Sequence, residues 1–209
     1  VHSISCQVAA GDRIALVGPS GSGKSTLLHL FAGLDTPTVG RVSWPGLAAG
    51  SRRIAVVFQG PSLIPALDVV ENVALPLVLA GRTPRDAAVE ARAALAALGA
   101  APLAGKLPEE LSGGQAQRVA VARVLAQCPA LILADEPTGQ LDRLSADGLV
   151  TVLLEVTERL GAALVVATHD PVVAARLDLR WSMSGGTLPD VAAVAARDAP
   201  MAARELDVR

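Results

Sequence analysis

A chain of 209 residues with 51% hydrophobic side chains is long enough to bury one sizeable core and a smaller satellite. With 18 Lys and Arg against 20 Asp and Glu, its net charge of −2 excludes a nucleic-acid face driven by bulk charge. Aromatics are only 2% with no Tyr, so Ala, Val and Leu must fill the core, and no apolar run approaches the ~18–20 residues of a membrane helix.

Arg13 to Val17 (RIALV) reads as a short buried strand between Gly11-Asp12 and Gly18-Pro19. A helix follows from near Lys24 through Phe31. Arg53 to Phe58 (RIAVVF) is a second strand. Residues 60 to 82 carry Pro61, Pro65, Pro76 and Gly81, which predicts only short helical pieces there. Thr83-Pro84-Arg85-Asp86 opens a helix, with Thr83 as cap and Asp86 completing a capping box, and Gly99 stops it after Leu98. Ser112 caps a further helix that ends near Gln127, before Pro129. Ala130 to Ala134 (ALILA) and Ala163 to Ala167 (ALVVA) are fully apolar strands, separated by a helix over Leu144 to Leu160. From about Val191 onward the chain reads as a peripheral helix or a fraying tail. Cys6 and Cys128 lack metal-ligand spacing and are expected as buried or partly buried free thiols. No basic-then-apolar leader opens the chain.

Strands alternating with helices indicate an α/β fold with a largely parallel central sheet. Residues 60–127 contain no clear strand and read as a helical subdomain inserted into that sheet. The expected division is a core of about 1–59 and 128–190, the inserted helices at 60–127 and a tail at 191–209.

Gly18-Pro19-Ser20-Gly21-Ser22-Gly23-Lys24-Ser25 matches G-x-x-x-x-G-K-[ST] between a predicted strand and a predicted helix, the context the motif requires. Its glycines let backbone N–H groups converge on phosphate oxygens, and the helix N-terminus adds positive potential. Lys24 supplies charge for the β- and γ-phosphates, and the Ser25 hydroxyl suits Mg²⁺. Leu131 to Glu136 is an apolar strand ending in two acids. Asp135 at its tip suits Mg²⁺, directly or through water. Glu136, one residue on, is placed to polarise an attacking water. Gln59, at a strand end, suits Mg²⁺ or that water, and His169 follows a buried strand where it can meet a γ-phosphate. Leu111-Ser112-Gly113-Gly114-Gln115 is a second Ser-Gly-Gly turn opening a helix. One chain with two phosphate half-sites implies nucleotide held between two chains.

The ordered set Gly18–Ser25, Gln59, Leu111–Gln115, Asp135-Glu136, Leu141-Asp142 and His169 resembles the nucleotide-binding subunit of an ATP-binding cassette (ABC) transporter, from about Gly11 to Gly186. The resemblance implies a P-loop NTPase (RecA-like) core and a Mg²⁺-dependent ATPase that powers a membrane transporter. It also implies a head-to-tail pair of copies, or of homologous cassettes. ATP in one chain's Gly18–Thr26 loop would be covered by Ser112, Gly113, Gly114 and Gln115 of the other. Glu136 is the implied general base, His169 would hold the γ-phosphate and the water, Asp142 would bridge the chains, and Ser25, Gln59 and Asp135 would serve the metal. The implied partner is an integral membrane permease subunit, docked near Gln59 to Leu79, with no nucleic acid. The implied location is cytoplasmic, on the inner face of the cell membrane. Gly33–Thr38, Glu71–Leu77, Glu136–Gly139 and Thr168–Pro171 resemble the lipoprotein-release and macrolide-export branch. A regulatory ATPase of the cell-division type, signalling without transport, is the alternative. The family places an aromatic residue upstream of the phosphate loop to stack on adenine. No Phe, Tyr or Trp precedes Phe31 here, so either the first strand region is truncated or adenine is held otherwise.

Overall fold

Five short segments, all but the last largely apolar, build the main sheet. The structure is a computed structural model that describes residues 1–47, 54–139, 141–189 and 206–208. The strands Cys6–Val8 (β1), Arg13–Val17 (β2), Val42–Ser43 (β3), Ile54–Val57 (β4), Leu131–Asp135 (β5), Ala163–Thr168 (β6), Leu179–Ser182 (β7) and Leu206–Val208 (β8) form two sheets. The larger has the order β4-β5-β6-β2-β7. β2 pairs parallel with β6 on one side and β7 on the other, and β5 pairs parallel with β6. A strand buried on both faces needs an unbroken apolar run. β6 has one, every residue from Ala163 to Thr168 being buried. The smaller sheet has the order β1-β8-β3 and is antiparallel.

The chain divides into two compact units. The first comprises Val1–Val56, Ala130–Glu136 and Thr157–Arg209. Its core gathers Ile14 and Leu16 of β2, Leu133 of β5, Val165 of β6, and Leu27 and Phe31 of helix α1 (Lys24–Ala32). Phe31 meets Trp181 edge-on, with ring centroids 6.4 Å apart. Such pairs add about 0.5–1.5 kcal/mol beyond area burial. This contact is valuable in a chain with so few rings.

The second unit comprises Val57–Pro129 and Pro137–Val156. Helices α2 (Val69–Leu79), α3 (Pro84–Ala97) and α4 (Gly113–Ala126) pack on one another there. Helix α5 (Arg143–Leu160) begins in this unit, and the short α6 (Pro171–Ala174) belongs to the first.

Most predicted elements form within a residue or two of their expected ends. The stretch 60–82 differs, because α2 is one continuous eleven-residue helix, not short pieces. Asp68 and Glu71 make a reciprocal capping box, with Glu71 N–H to Asp68 Oδ1 at 2.8 Å and Asp68 N–H to Glu71 Oε2 at 2.9 Å. Val69, Val70, Val73, Ala74 and Leu77 bury one face. Pro76 forfeits a single intrahelical bond, and that burial outweighs it. Thr83 caps α3, but its hydroxyl donates to Asp86 Oδ2 at 2.8 Å, so no reciprocal box forms. β1, β3 and β7 carried too little pattern to be predicted, and Leu206–Val208 is a strand where a helix or frayed end was expected. The rest of the tail, Arg53 and Gln140 lie outside the described residues. Cys6 is buried as expected, whereas Cys128 is exposed, on a left-handed residue (φ 45°) just past the end of α4.

Candidate functional site

The phosphate-loop sequence leaves β2 at Val17 and enters α1 at Lys24. Gly21 and Gly23 have φ of +77° and +100°, which only glycine adopts without strain. Gly18 is glycine for a different reason. A Cβ there would collide with the carbonyl oxygen of Met183, just past β7. That turn backs the loop: Met183 N–H donates to Val17 O at 2.7 Å and Gly186 N–H to Ser22 O at 3.1 Å. Pro19, Ser20, Ser25 and Thr26 are exposed, while Ser22 is buried. The first-turn N–H groups of α1 have no intrahelical partner, as in every helix, and they open on the loop as anion donors.

Lys24 is 7% exposed. Its Nζ donates to Gly18 O at 2.9 Å and Pro19 O at 3.2 Å, and stands 3.8 Å from Glu136 Oε1. The ammonium is therefore held by neutral carbonyls and one carboxylate, and an entering phosphate competes with the carbonyls for it.

Asp135 ends β5, and its Oδ1 is buried with no hydrogen-bond donor. Buried carboxylate oxygens are almost always satisfied. An orphaned one is the acceptor that a hard cation takes, so the donor set fits a divalent ion. Glu136 follows with φ 45°, a left-handed conformation that is uncommon outside glycine and concentrated at functional sites. Its N–H still donates to Ala167 O at 2.9 Å, which fixes the turn to β6. Its carboxylate lies 2.8 Å from His169 Nδ1, with side chains 16% and 71% exposed respectively. An ionised carboxylate only accepts, so Nδ1 carries the proton in this contact and Nε2 is left for another partner. Thus Lys24, Asp135, Glu136 and His169, predicted from separate motifs, belong to one unit, three of them in a direct chain of contacts.

Gln59, Ser112–Gln115 and Asp142 belong to the second unit. Ser112 is the N-cap of α4. Its Oγ accepts from Gln115 N–H at 3.3 Å, and Gln115 Oε1 accepts from Ser112 N–H at 3.0 Å. This box leaves the hydroxyl proton of Ser112 free to donate. Gly113 opens α4 with no atom near where a Cβ would stand. Asp142 caps α5 by accepting from Leu144 N–H and Ser145 N–H, both at 3.0 Å, and from the Ser145 hydroxyl at 2.6 Å. Those hydrogen bonds, the Ser145 hydroxyl first, lower its carboxyl below the usual carboxylate value. Gln59 is exposed two residues past β4. Its flanking backbone is tied to α4: Gln117 Nε2 donates to Phe58 O at 3.3 Å, and Arg123 to Ser62 O at 2.8 Å and Pro61 O at 3.1 Å.

Two supports were missed by the sequence reading. The Met183–Gly186 turn has no motif to announce it. Asn72 had a visible signal, a lone amide in the apolar run of α2. Fully buried, it accepts from Ile64 N–H at 2.7 Å and donates to the carbonyls of Ile64, Leu67 and Asp68 at 3.1, 2.9 and 3.0 Å.

A family model described as ABC transporter matches residues 1–139. Among curated relatives, the lipoprotein-releasing system ATP-binding protein LolD of Legionella pneumophila (strain Paris) is 41% identical over 199 residues, 90% of this chain and 88% of that protein. An uncharacterized ABC transporter ATP-binding protein of Mycobacterium tuberculosis (strain ATCC 25618 / H37Rv) is 44% identical over 189 residues, 85% of this chain and 76% of that one. Among solved structures, the dimeric post-hydrolysis state of the ATP-binding cassette MJ0796 bound to ADP and Pi superposes with a TM-score of 0.77 at 34% identity, covering 87% of this chain and 85% of that chain. The cassette cbiO1 from Clostridium perfringens, part of the ABC transporter complex cbiONQ, gives 0.74 at 30% identity, over 86% and 76%.

Proposed function

This chain belongs to the ABC transporter family, and from that premise we propose that it is the ATP-hydrolysing subunit of a membrane transporter, working as an ATP-driven pair. The observation that carries the reading is the Glu136 carboxylate set between the Lys24 ammonium and the His169 imidazole, one residue beyond the unsatisfied Asp135 oxygen. Lys24 and the loop N–H groups bind the β- and γ-phosphates of ATP. Glu136 accepts a proton from the attacking water, and His169, oriented through Nδ1, presents Nε2 to the γ-phosphate and the water. Asp135, Ser25 and Gln59 are the residues that would hold Mg²⁺, which when bound would supply charge neutralisation for the phosphates.

The single chain carries each half of the site on a different unit, and a second copy completes it head to tail. The partner's Ser112 hydroxyl and its glycine N–H groups donate to the γ-phosphate of this chain's ATP, with the α4 dipole aligned to favour that charge. The whole chain is one nucleotide-binding domain, with 1–59 and 128–190 as its core and 60–127 as the inserted helices. Among the described residues no helix is long and apolar enough to cross a membrane. In this reading the ATPase drives a permease subunit that docks near Gln59 to Leu79 on the inner membrane face. Relatives named for lipoprotein release support placement in that branch.

Glu136→Gln tests the reading. The variant keeps the hydrogen bonds but not the base, so Mg-ATP should trap a stable dimer that turns over at least about a hundredfold more slowly. A variant that stayed monomeric in Mg-ATP by analytical ultracentrifugation would falsify the paired mechanism.

A further inference from the structure

β6 is apolar from Ala163 to Ala167 and then ends on a hydroxyl, Thr168. That residue is fully buried, at 0% exposure. Val has nearly the same shape, suits a strand as well, and would bury there without taking a hydroxyl out of water. A threonine at such a position must use its oxygen to offset that cost. It does so locally: Thr168 Oγ1 accepts from Asp170 N–H at 3.0 Å. The bond spans two residues, and His169 is the one between them.

Both ends of this short bridge are themselves held. Thr168 stands opposite Val17 in the parallel pairing of β6 with β2, and Ala167 stands opposite Asp135 of β5. Ala167 O accepts from Glu136 N–H at 2.9 Å. Asp170 caps α6, with its Oδ1 accepting from Val172 N–H at 2.7 Å and its carbonyl from Ala174 N–H at 3.0 Å. All of these residues belong to the first unit. The His169 side chain between the two anchors is 71% exposed, with Nδ1 at 2.8 Å from Glu136 Oε2. Packing confines so exposed a ring only weakly, so its direction depends on where the backbone sets its Cα.

We propose that Thr168 is a positioning residue, whose bridge to Asp170 N–H holds the His169 backbone so that Nδ1 faces Glu136. Its effect on turnover rests on the ATPase reading, whereas the bridge and the ring direction belong to the nucleotide-free chain. Buried at the strand end, Thr168 acts through His169 and not on substrate. With Nδ1 held on Glu136, Nε2 is left on the far side of the ring, and that is the atom assigned above to the γ-phosphate. Without the bridge Asp170 N–H loses its acceptor and the turn opens. The ring then samples other directions, and the contacts of both nitrogens are lost together. A misplacement of about 1 Å in a positioned group can cost about 10²-fold in rate.

The test compares Thr168→Val, which keeps the shape and removes the acceptor, with Thr168→Ser, which keeps the acceptor. Thr168→Ala is made beside them, so that one variant without the acceptor still reports if the other fails to fold by circular dichroism. Proton–nitrogen correlation NMR of the nucleotide-free chain gives the ring tautomer, with the His169 signals assigned by their loss in His169→Gln. Steady-state assays with Mg-ATP give kcat, and calorimetry gives ADP affinity. The wild type and Thr168→Ser should carry the ring proton on Nδ1 and share a similar kcat. Thr168→Val and Thr168→Ala should lose the Nδ1 preference and lower kcat by about 10–100-fold, while binding ADP as the wild type does. Variants without the acceptor that keep the wild-type tautomer and kcat overturn the proposal. So does a fall in kcat that Thr168→Ser shares in full, since that marks a merely structural role. A wild type that hydrolyses no ATP, yet whose ring reorients in Thr168→Val, sinks the ATPase reading and leaves the bridge standing.

Discussion

Gly18→Ala should be the most damaging single-methyl change in the phosphate loop. The added Cβ would drive into the Met183 carbonyl oxygen, stand 2.8 Å from Ser22 Oγ and lie 3.2 Å from the Met183 carbonyl carbon. Two of these three atoms are backbone, and Met183 cannot turn away because its own N–H is bonded to Val17 O at 2.7 Å. Relief therefore requires moving the β2 end, the loop or the turn after β7. Overpacking of this kind costs about 1–3 kcal/mol, and contact with pinned backbone places the cost near the top of that range. At about 2–4 °C per kcal/mol for a chain of this size, Tm should fall by about 6–12 °C. Nucleotide affinity, read by isothermal titration calorimetry, should fall with it, because the displaced loop is the one proposed to cradle the phosphates. Gly148→Ala is the counterpart. It lies inside α5 with nothing near its Cβ position, and should stabilise by about 0.5–1 kcal/mol. A Gly18→Ala protein with unchanged Tm and unchanged ATP affinity would refute the account of this loop as braced from beneath.

Three further outcomes follow from the geometry. His169→Ala should lower kcat about 10²–10⁴-fold in steady-state ATPase assays while ADP affinity changes little, since in the proposed role the ring meets the γ-phosphate and the base and not the β-phosphate. Asn72→Ala removes the acceptor of Ile64 N–H and the donor to three carbonyls. Ile64 O and Asp68 O keep backbone donors in Leu67 N–H and Asn72 N–H, so the loss falls chiefly on Ile64 N–H and Leu67 O and should cost about 1–3 kcal/mol in urea unfolding. Asp12 has its carboxyl raised above the usual value, by burial first and by Asp178 last, against a lowering bond from Ala9 N–H. A raised folded value means its contribution to stability is complete at acid pH and is lost as pH rises through it. Asp12→Asn keeps an acceptor for Ala9 and removes the charge, so it should raise Tm at pH 7 and leave Tm near pH 3 unchanged.

The legible part of this chain was the part where chemistry restricts residue choice. The loop glycines, Lys24, Asp135 and Glu136 each need a residue type that few other roles share, so their spacing carried the reading. β5 and β6 were legible because strands covered on both faces are uniformly apolar. The α2 region was not. Its prolines and glycine are local signals, and they lost to a capping box and a buried face that only packing reveals. β1, β3 and β8 are two or three residues long, too short for any periodicity, and their pairing joins positions that are distant in sequence. The Met183 turn that shapes Gly18 is backbone meeting backbone, which leaves no side-chain signature.

The ties between α4 and the Gln59 segment link two features that the sequence presented separately. Ser112 caps the first turn of α4, while Gln117 and Arg123 on the same helix hold the carbonyls on either side of Gln59. A hydrogen bond to a charged group contributes about 1.5–3 kcal/mol, so the two Arg123 bonds together resist separation by several kcal/mol. The helix between them is fourteen residues without an internal proline, and it transmits displacement as a rigid rod. On the proposed function, a ligand that drew Gln59 toward itself would pull on α4 and so on Ser112. Breaking the tie with Arg123→Ala should leave the affinity of one chain for ADP, assigned above to the Lys24 loop, unchanged by calorimetry while weakening the ATP-driven pairing.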